Sequence, residues 1–376
     1  MEIYLDNAAT TRVCTEAADI AYKVMTDCYG NPSSTHTKGR DAKAYLDTAR
    51  AQIALALGCS ASEVYFTSCG SESDVWAITR GAESAARRGR HIISSAVEHD
   101  AVRKTLEELE SRGFEVTYLS PEKDGSVSAD AVKAALREDT ILVTLMMVNN
   151  ETGGITDIAA IAKMLKGCGS KALLHTDAVQ GFMKVPFSAK KLGADMISIS
   201  GHKIHAPKGI GALYIKTGVK IKPLIRGGAQ EGGMRAGTEA MPQIAAFGKA
   251  AEIAFSGMKD NCDTMASLRA LAMSTICADI PEAQIIGGGA PHILSVSLPG
   301  WRSEVLMNFL EAEGIYVSRS SACKKGGRSH VLEAMRLPAQ VIDGAIRVSF
   351  SRYNTEDDVL ALCSALKRAH DTLAHR

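Results

Sequence analysis

Two blocks of residues stand out for the chemistry they could do together. His175-Thr-Asp177-Ala-Val-Gln180 closes one short apolar run, and Ser198-Ile-Ser200-Gly201-His202-Lys203 closes another. The runs themselves, Ala172-Leu-Leu and Met196-Ile-Ser-Ile, read as buried strands, so both blocks are expected at the carboxyl ends of sheet strands. Open α/β sheets bind their ligands at that edge. An Asp at one strand end and a Lys at another is what a pyridoxal phosphate (PLP) site needs. The amine forms a Schiff base with the aldehyde, and the carboxylate keeps the ring nitrogen protonated so that the ring accepts electrons. Gln180 is placed to bond the ring hydroxyl, and Ser200 and His202 to contact the phosphate. Taken singly, Lys203 reads as a surface residue and Asp177 as a helix cap. Together they put charge directly after buried strands, which costs several kcal/mol unless it is compensated, on the order of a pKa shift of ~3–5 units.

The elements that must position these blocks are legible upstream. Val64–Thr67, 91–95, 115–119 and 141–145 read as strands, and helical patterns follow from Ser71, over 99–112, over 129–137 and over 157–167. This alternation predicts a mostly parallel sheet covered by helices. Residues 220–238 are glycine-rich without periodicity. Gln230, Glu231 and Arg235 interrupt the glycines, so this stretch reads as an ordered functional loop. Helices are expected over 239–257 and 261–278. The last hundred residues read as α+β, with strands near 293–298, 315–318 and 345–350 and a closing helix around Leu360.

Bulk properties narrow the function. The chain has 376 residues, enough for a large and a smaller domain, and 46% of them are hydrophobic. A net charge of +1 gives no electrostatic case for nucleic acid or a membrane surface as partner. The amino terminus lacks the basic and apolar regions of a signal peptide, and no run of about 18 apolar residues predicts a membrane span. The nine cysteines form no CxxC pairs and no Cys/His spacing. That reads against a metal site and a disulfide framework, and for reduced thiols in a cytoplasmic protein.

Over nearly its whole length the chain resembles the PLP-dependent cysteine desulfurases of the class-V aminotransferase group. The resemblance is carried by Tyr4-Leu-Asp-Asn-Ala-Ala-Thr-Thr11, Gly30-Asn-Pro-Ser-Ser-Thr-His36, Phe66-Thr-Ser, Glu72-Ser-Asp74, Glu98-His99 and Val148-Asn-Asn-Glu-Thr-Gly153. The two blocks above carry it further, with Pro207-Lys-Gly209, Arg235-Ala-Gly-Thr238, Ser320-Ser-Ala-Cys323 and Ile346-Arg-Val-Ser-Phe350. It implies an α/β, fold-type I architecture: a large domain with a mostly parallel seven-stranded sheet (15–257), and a smaller α+β domain (1–14 and 258–376) carrying the catalytic Cys loop. A homodimer with sites at the subunit interface is implied as well.

The resemblance assigns roles by position. Lys203 is the Schiff-base lysine and carries the proton at the substrate Cα. Asp177 pairs with the pyridinium nitrogen. His99 stacks on the ring and helps move protons, although it also reads as the cap of the helix that starts there. Asn150 touches the ring hydroxyl or the substrate carboxylate, with a turn Asn as the plainer reading. Arg347 takes that carboxylate with its planar fork, a geometry suited to bidentate pairing, the alternative being an exposed strand Arg. The phosphate sits on Ser68-Cys-Gly70-Ser71, where a helix start offers free N–H groups and a favourable dipole. Ser71, Ser200 and His202 add side-chain donors, and Thr238 reaches in from the partner subunit.

Cys323 separates a desulfurase from a transaminase. Arg319, Lys324, Lys325 and Arg328 surround it in a polar, glycine-bearing stretch, and nearby cations favour the reactive thiolate. The implied reaction takes sulfur from L-cysteine onto Cys323 as a persulfide, releases alanine, and passes the sulfur to an acceptor in iron–sulfur cluster or thiolation pathways.

The chain departs from the family pattern at several positions. Cys69 and Ser71 stand in a cradle that usually reads Ser-Gly-Ala/Gly-Thr-Glu; Ser71 keeps a hydroxyl, and Cys69 reads as an inert packing thiol. Val75 replaces the usual Asn, Gly232 follows Gln230-Glu231 where Arg is usual, and Lys324-Lys325-Gly326-Gly327 replaces small hydroxyl residues. That basic stretch suits an acidic acceptor surface. Two other readings remain at this point: a selenocysteine lyase or small aminotransferase of the same fold, and a non-enzymatic assembly scaffold.

Overall fold

The computed structural model describes residues 2–319 and 327–373. Thirteen strands are found among them: β1 (Ile3–Tyr4), β2 (Val64–Thr67), β3 (His91–Ser95), β4 (Glu115–Leu119), β5 (Thr140–Met146), β6 (Leu173–Asp177), β7 (Met196–Ser200), β8 (Gly211–Ile215), β9 (Gln284–Ile286), β10 (Ile293–Ser297), β11 (Ile315–Tyr316), β12 (Ser318–Arg319) and β13 (Ala345–Ser349). Seven of them form one sheet in the order β2-β8-β7-β6-β5-β3-β4. Only β8 runs antiparallel to its neighbours, so the expected mostly parallel seven-stranded sheet is what the chain forms. The inner strands β3, β5, β7 and β8 are buried at every position, which is why they read as continuous apolar runs.

Because β2, β3, β5, β6 and β7 point the same way, Thr67, Ser95, Met146, Asp177 and Ser200 all end at one edge. The chain turns from β7 into β8 at that edge, with Ser200 opposite Gly211. A Cβ on Gly211 would lie 2.7 Å from the carbonyl carbon of Cys69, so only glycine lets the start of the next helix approach.

Helix Gly70–Ala85 lies on one face of the sheet, against β5, β7 and β8. The other face is covered by helices that include Thr37–Leu57 and Met241–Ser256, which pack closely on each other. A Cβ on Gly248 would sit 2.6 Å from the Cα of Ala49, so this helix pair meets nearly backbone to backbone. Phe182 and Phe247 meet edge to face beside this pair, both fully buried, with ring centroids 6.4 Å apart.

A four-stranded antiparallel sheet, β12-β13-β10-β9, has a separate core. Leu294, Val296, Ile346 and Val348 pack there against helices Met258–Asp279 and Glu356–Thr372. The single strand expected near 315–318 divides into β11, which pairs in parallel with β1, and β12, which pairs with β13. The amino-terminal segment crosses onto this sheet: Asn7 Nδ2 donates to Ser349 O at 2.9 Å. Among the described residues no helix is long and apolar enough to cross a membrane, and no cluster of three metal-ligating side chains occurs.

Phe247→Ala empties a fully buried site that the backbone-close helix pair cannot collapse to fill. A loss of about 3–5 kcal/mol is expected, read as a lower urea midpoint at an unchanged m-value.

Candidate active site

A cavity of about 360 Å³ opens at the carboxyl edge of the large sheet. Lys203, Asp177, His99, Ser71, Gly70, Asn150, Gln180, Ser200, His202 and Arg347 all line it, so ten positions singled out in the sequence converge on one space. Thr238 is exposed and lies outside the cavity of its own chain. Cys323 lies outside the described residues, but Arg328 and His330, a few positions further on, line the cavity.

The amine and the acid come from neighbouring strands, as expected. Lys203 ends the short 3₁₀ turn Gly201–Lys203 after β7, and its Nζ donates to the carbonyls of Ala8 and Ala9, both at 2.7 Å. Asp177 ends β6 and accepts from the amide of Val179 at 2.8 Å. Burial raises the pKa of Asp177, while His99 and Lys203 pull it back. Two further buried acids lie close to it. Glu98 accepts from Ser95 Oγ at 2.6 Å and from the amide of Met146, and burial pushes it up to about 8. Asp74 is held well above the ordinary carboxylate range by burial and by Asp177. Three neighbouring carboxyls in one dry region cannot all be charged. Glu98 keeps its proton at neutral pH, burial and Asp177 raise Asp74, and Asp177 is the acid that faces the two basic groups.

His175 lies among these strands but outside the cavity. Its ring nitrogens meet Thr144 Oγ1 at 2.8 Å and Ser198 Oγ at 3.0 Å, and burial lowers it to about 3, so it is a neutral strut. His99 caps helix Asp100–Ser111, with Nδ1 accepting from the amide of Ala101 at 3.1 Å. Cap and cavity wall are therefore one residue, and the cap fixes the tautomer that carries its proton on Nε2.

The opposite end is built for an anion. Helix Gly70–Ala85 begins there with its free N–H groups. The hydroxyl of Ser200 is buried without a hydrogen-bond partner among the described residues. His202 meets Thr10 Oγ1 at 3.1 Å, and burial, with nearby lysines, lowers it to about 4. Cys69 is not a packing thiol. It is the N-cap of this helix, its Sγ accepting from the amide of Glu72 at 3.4 Å, and it stands in the cavity wall where a hydroxyl or carboxylate cap is usual.

Arg347 arrives from β13 and is buried rather than an exposed strand residue. Nη2 donates to Asp6 Oδ1 at 2.8 Å and Nη1 to the Asn150 carbonyl at 2.9 Å, and Nε has no partner among the described residues. Gln180 already donates from Nε2 to Ala8 O at 2.8 Å. The glycine-rich stretch is ordered around Glu231, which takes a left-handed backbone (φ 48°), pairs with Arg50 at 2.6 Å and accepts from the amide of Phe66.

Glu151 and His330 escaped the sequence reading. Glu151 is pushed up to about 7 by burial and accepts from Ser329 Oγ at 2.5 Å. His330 Nε2 meets the Glu98 carbonyl at 3.1 Å. Glu151 stands inside a motif that was legible, next to Asn150; His330 carries no local signal, because its contact spans 232 positions.

The aminotransferase class-V family model matches residues 3–362. The chain belongs to that family. It is 43% identical over 362 residues to the cysteine desulfurase IscS of Methanosarcina thermophila, covering 95% of this chain and 89% of that one. It is 44% identical to the cysteine desulfurase of Trichormus azollae, at 95% and 90% coverage. A solved NifS-like protein superposes with a TM-score of 0.94 at 38% identity, over 99% of this chain and all of the other. SspA in complex with cysteine gives 0.79 at 32%, covering 94% and 99%. The chain is thus a PLP-dependent enzyme of the cysteine desulfurase type. Its cavity fits that cofactor: a buried acid for the ring nitrogen, an amine for the aldehyde, and an anion end holding a buried, unpartnered hydroxyl.

The buried acids give the fold a pH signature. Glu98 holds its proton to about pH 8, whereas an unfolded glutamate ionises near 4.5. The folded state therefore binds the extra proton between those values, and its stability falls as pH rises through that window and levels off above it. The advantage of wild type over Glu98→Gln should shrink from about pH 5 to about pH 8, which urea unfolding at a series of pH values will measure.

Proposed function

We propose that this chain removes sulfur from L-cysteine, releasing L-alanine and leaving a persulfide on Cys323 for transfer to an acceptor protein. The observation that carries the reading is the meeting of Lys203, Asp177 and Arg347 in one cavity that residues 328 and 330 also line. Cysteine as substrate is supported by the likeness to SspA, whose structure holds cysteine, and by the desulfurase names of the relatives.

When bound, PLP supplies an aldehyde for the amine and a ring that accepts electrons from the substrate. Asp177 would hold the ring nitrogen, and the helix start at Gly70 with Ser71, Ser200 and His202 would hold the phosphate, Thr238 of a second subunit adding to it. Gln180 and Asn150 would border the ring hydroxyl. Arg347 binds the substrate carboxylate; Asp6 and the Asn150 carbonyl fix the plane of its guanidinium and leave its remaining N–H donors for the substrate. Lys203 moves the proton at the substrate Cα. The carbonyls of Ala8 and Ala9 hold its amine in place until then. His99 carries a proton on Nε2 against the ring face.

The Cys323 thiolate forms the new S–S bond with the substrate sulfur, and the Cβ–S bond breaks with its electrons left on the substrate. Lys324 and Lys325, next in sequence, favour the thiolate; Arg319 and Arg328 are paired with Glu304 and Asp343. Residues 15–257 form the PLP-binding domain, and 1–14 with 258–376 form the domain carrying Cys323. The enzyme works as a cytoplasmic homodimer, and the acceptor belongs to iron–sulfur cluster assembly or thiolation.

Intact mass after L-cysteine, without reductant, tests the reaction. Wild type should gain sulfur and release alanine, and Cys323→Ser should gain none. PLP-bound wild type that gains no sulfur would move the activity to another PLP reaction. Lys203→Ala should lose alanine release on the order of 10²–10⁴-fold. Replacing Lys324 and Lys325 with Ser should leave persulfide formation intact and slow delivery to an acidic acceptor; unchanged delivery would remove charge from acceptor choice.

A further inference from the structure

A second, much smaller cavity lies behind the active site. It measures about 20 Å³, and Lys203 stands in the wall of both cavities. Lys184 lines only the smaller one. Its side chain is 6% exposed, and its Nζ has no hydrogen-bond partner among the described residues. Met183, just before it, takes a left-handed backbone (φ 59°) that β-branched and bulky residues rarely adopt.

The surroundings of Lys184 are all cationic or neutral. Lys203, Arg352 and His205 line the same cavity, with the hydroxyl residues Thr11 and Ser351, and no carboxylate is among its described lining residues. Arg347 adds a further nearby cation, but the acid beside it, Asp6, is already paired with it at 2.8 Å. His205 and His292 supply no negative charge. His205 is lowered to about 4 by burial, with its Nδ1 on the Arg12 carbonyl at 2.8 Å, and His292 is fully buried and held neutral by burial and the three neighbouring cations Lys184, Arg347 and Lys203. Burial, with Lys203 and Arg347 beside it, lowers Lys184 itself to about 7. A buried ammonium that neither an acid nor a hydrogen bond compensates is strongly disfavoured.

We propose that Lys184 holds a single buried monovalent anion of chloride size, directly behind Lys203. The cavity suits one such occupant, since about 10–15 Å³ by this measure admits a water-sized group. The lining offers ammonium and guanidinium donors and no competing acid, while the hydroxyls of Thr11 and Ser351 already donate to the His202 carbonyl and to Asn354 Oδ1. A water would satisfy a hydrogen bond and leave the amine to shed its proton, whereas an anion both accepts the hydrogen bond and keeps the ammonium charged. The site places a neutralised pair, in place of a bare ammonium, behind the lysine that meets the cofactor. It does not depend on which reaction the front cavity performs.

Crystals of the wild-type protein soaked in sodium bromide test it directly. An anomalous peak in contact with Lys184 Nζ is expected; an ordered water there with no bromide overturns the proposal. In solution, the wild-type melting temperature should rise by about 2 °C for each tenfold increase in chloride above its dissociation constant, relative to gluconate at equal ionic strength. Lys184→Met should lose that dependence, and an equal chloride response in both proteins overturns the proposal. If Lys184→Met does not fold, the wild-type bromide map decides alone. Neither readout involves cysteine turnover, so failure here and failure of the desulfurase reading are separate results.

Discussion

The protein depends on holding a buried carboxyl and a half-buried amine together at one edge of its large sheet. Asp177 ends β6, and Lys203 follows the neighbouring parallel strand β7 by one 3₁₀ turn, so the hydrogen bonds of the sheet fix both stretches of backbone. Buried charge is tolerated only when it is shared out, and here the sharing is graded. Glu98 stays protonated, burial raises Asp74, His175 stays neutral between two hydroxyls, and Asp177 and Lys203 face the cavity. The sheet thus works as an insulator around one polarised gap, the kind of preorganised field that electrostatic catalysis uses.

The substrate end is supplied by a different sheet. Arg347 belongs to β13, whose hydrophobic core is separate from that of the large sheet, yet its guanidinium is clamped by Asn150 from one side and Asp6 from the other. The planar fork has five donors in fixed directions, so two clamps settle the direction of the rest. Glu151–Ser329 and His330–Glu98 add two more ties between the cavity and the chain just beyond Cys323. Arg347 and the described chain just beyond Cys323 are therefore tied to the same cavity.

Much of this could be read from the chain alone. The strands after residue 60 announced themselves as apolar runs because they are buried on both faces, and the two charged blocks ended those runs where the site lies. Helices Thr15–Thr26 and Thr37–Leu57 were not anticipated. The longer one buries Ala42, Ala49, Ala54 and Ala56 against a partner helix, a face of small residues with little hydrophobic contrast. The break between β11 and β12 at Val317 was also invisible, since their separate partners, β1 and β13, are long-range neighbours. Cys69 looked like filler because capping by a thiol is weaker and rarer than by a hydroxyl. The roles of Glu151 and His330 needed the tertiary fold, since neither partner is close in sequence.

The carbonyls of Ala8 and Ala9 that hold Lys203 belong to a segment whose own anchorage is Ser349, through Asn7 and the amide of Ala8. In the order of synthesis, then, the pieces around the reactive amine are made early, but the strand that fixes them is made near the end, 342 positions later. The large sheet has all its strands well before that point. The cavity can be roofed only once β13 has left the ribosome, so a nascent chain carries its lysine and its acid without the brace that aims them. Closure of so long a loop is slow and comes after local structure. A chain stopped short of β13 would hold every strand of the large sheet but lack the Ser349 anchor of the segment whose carbonyls hold Lys203.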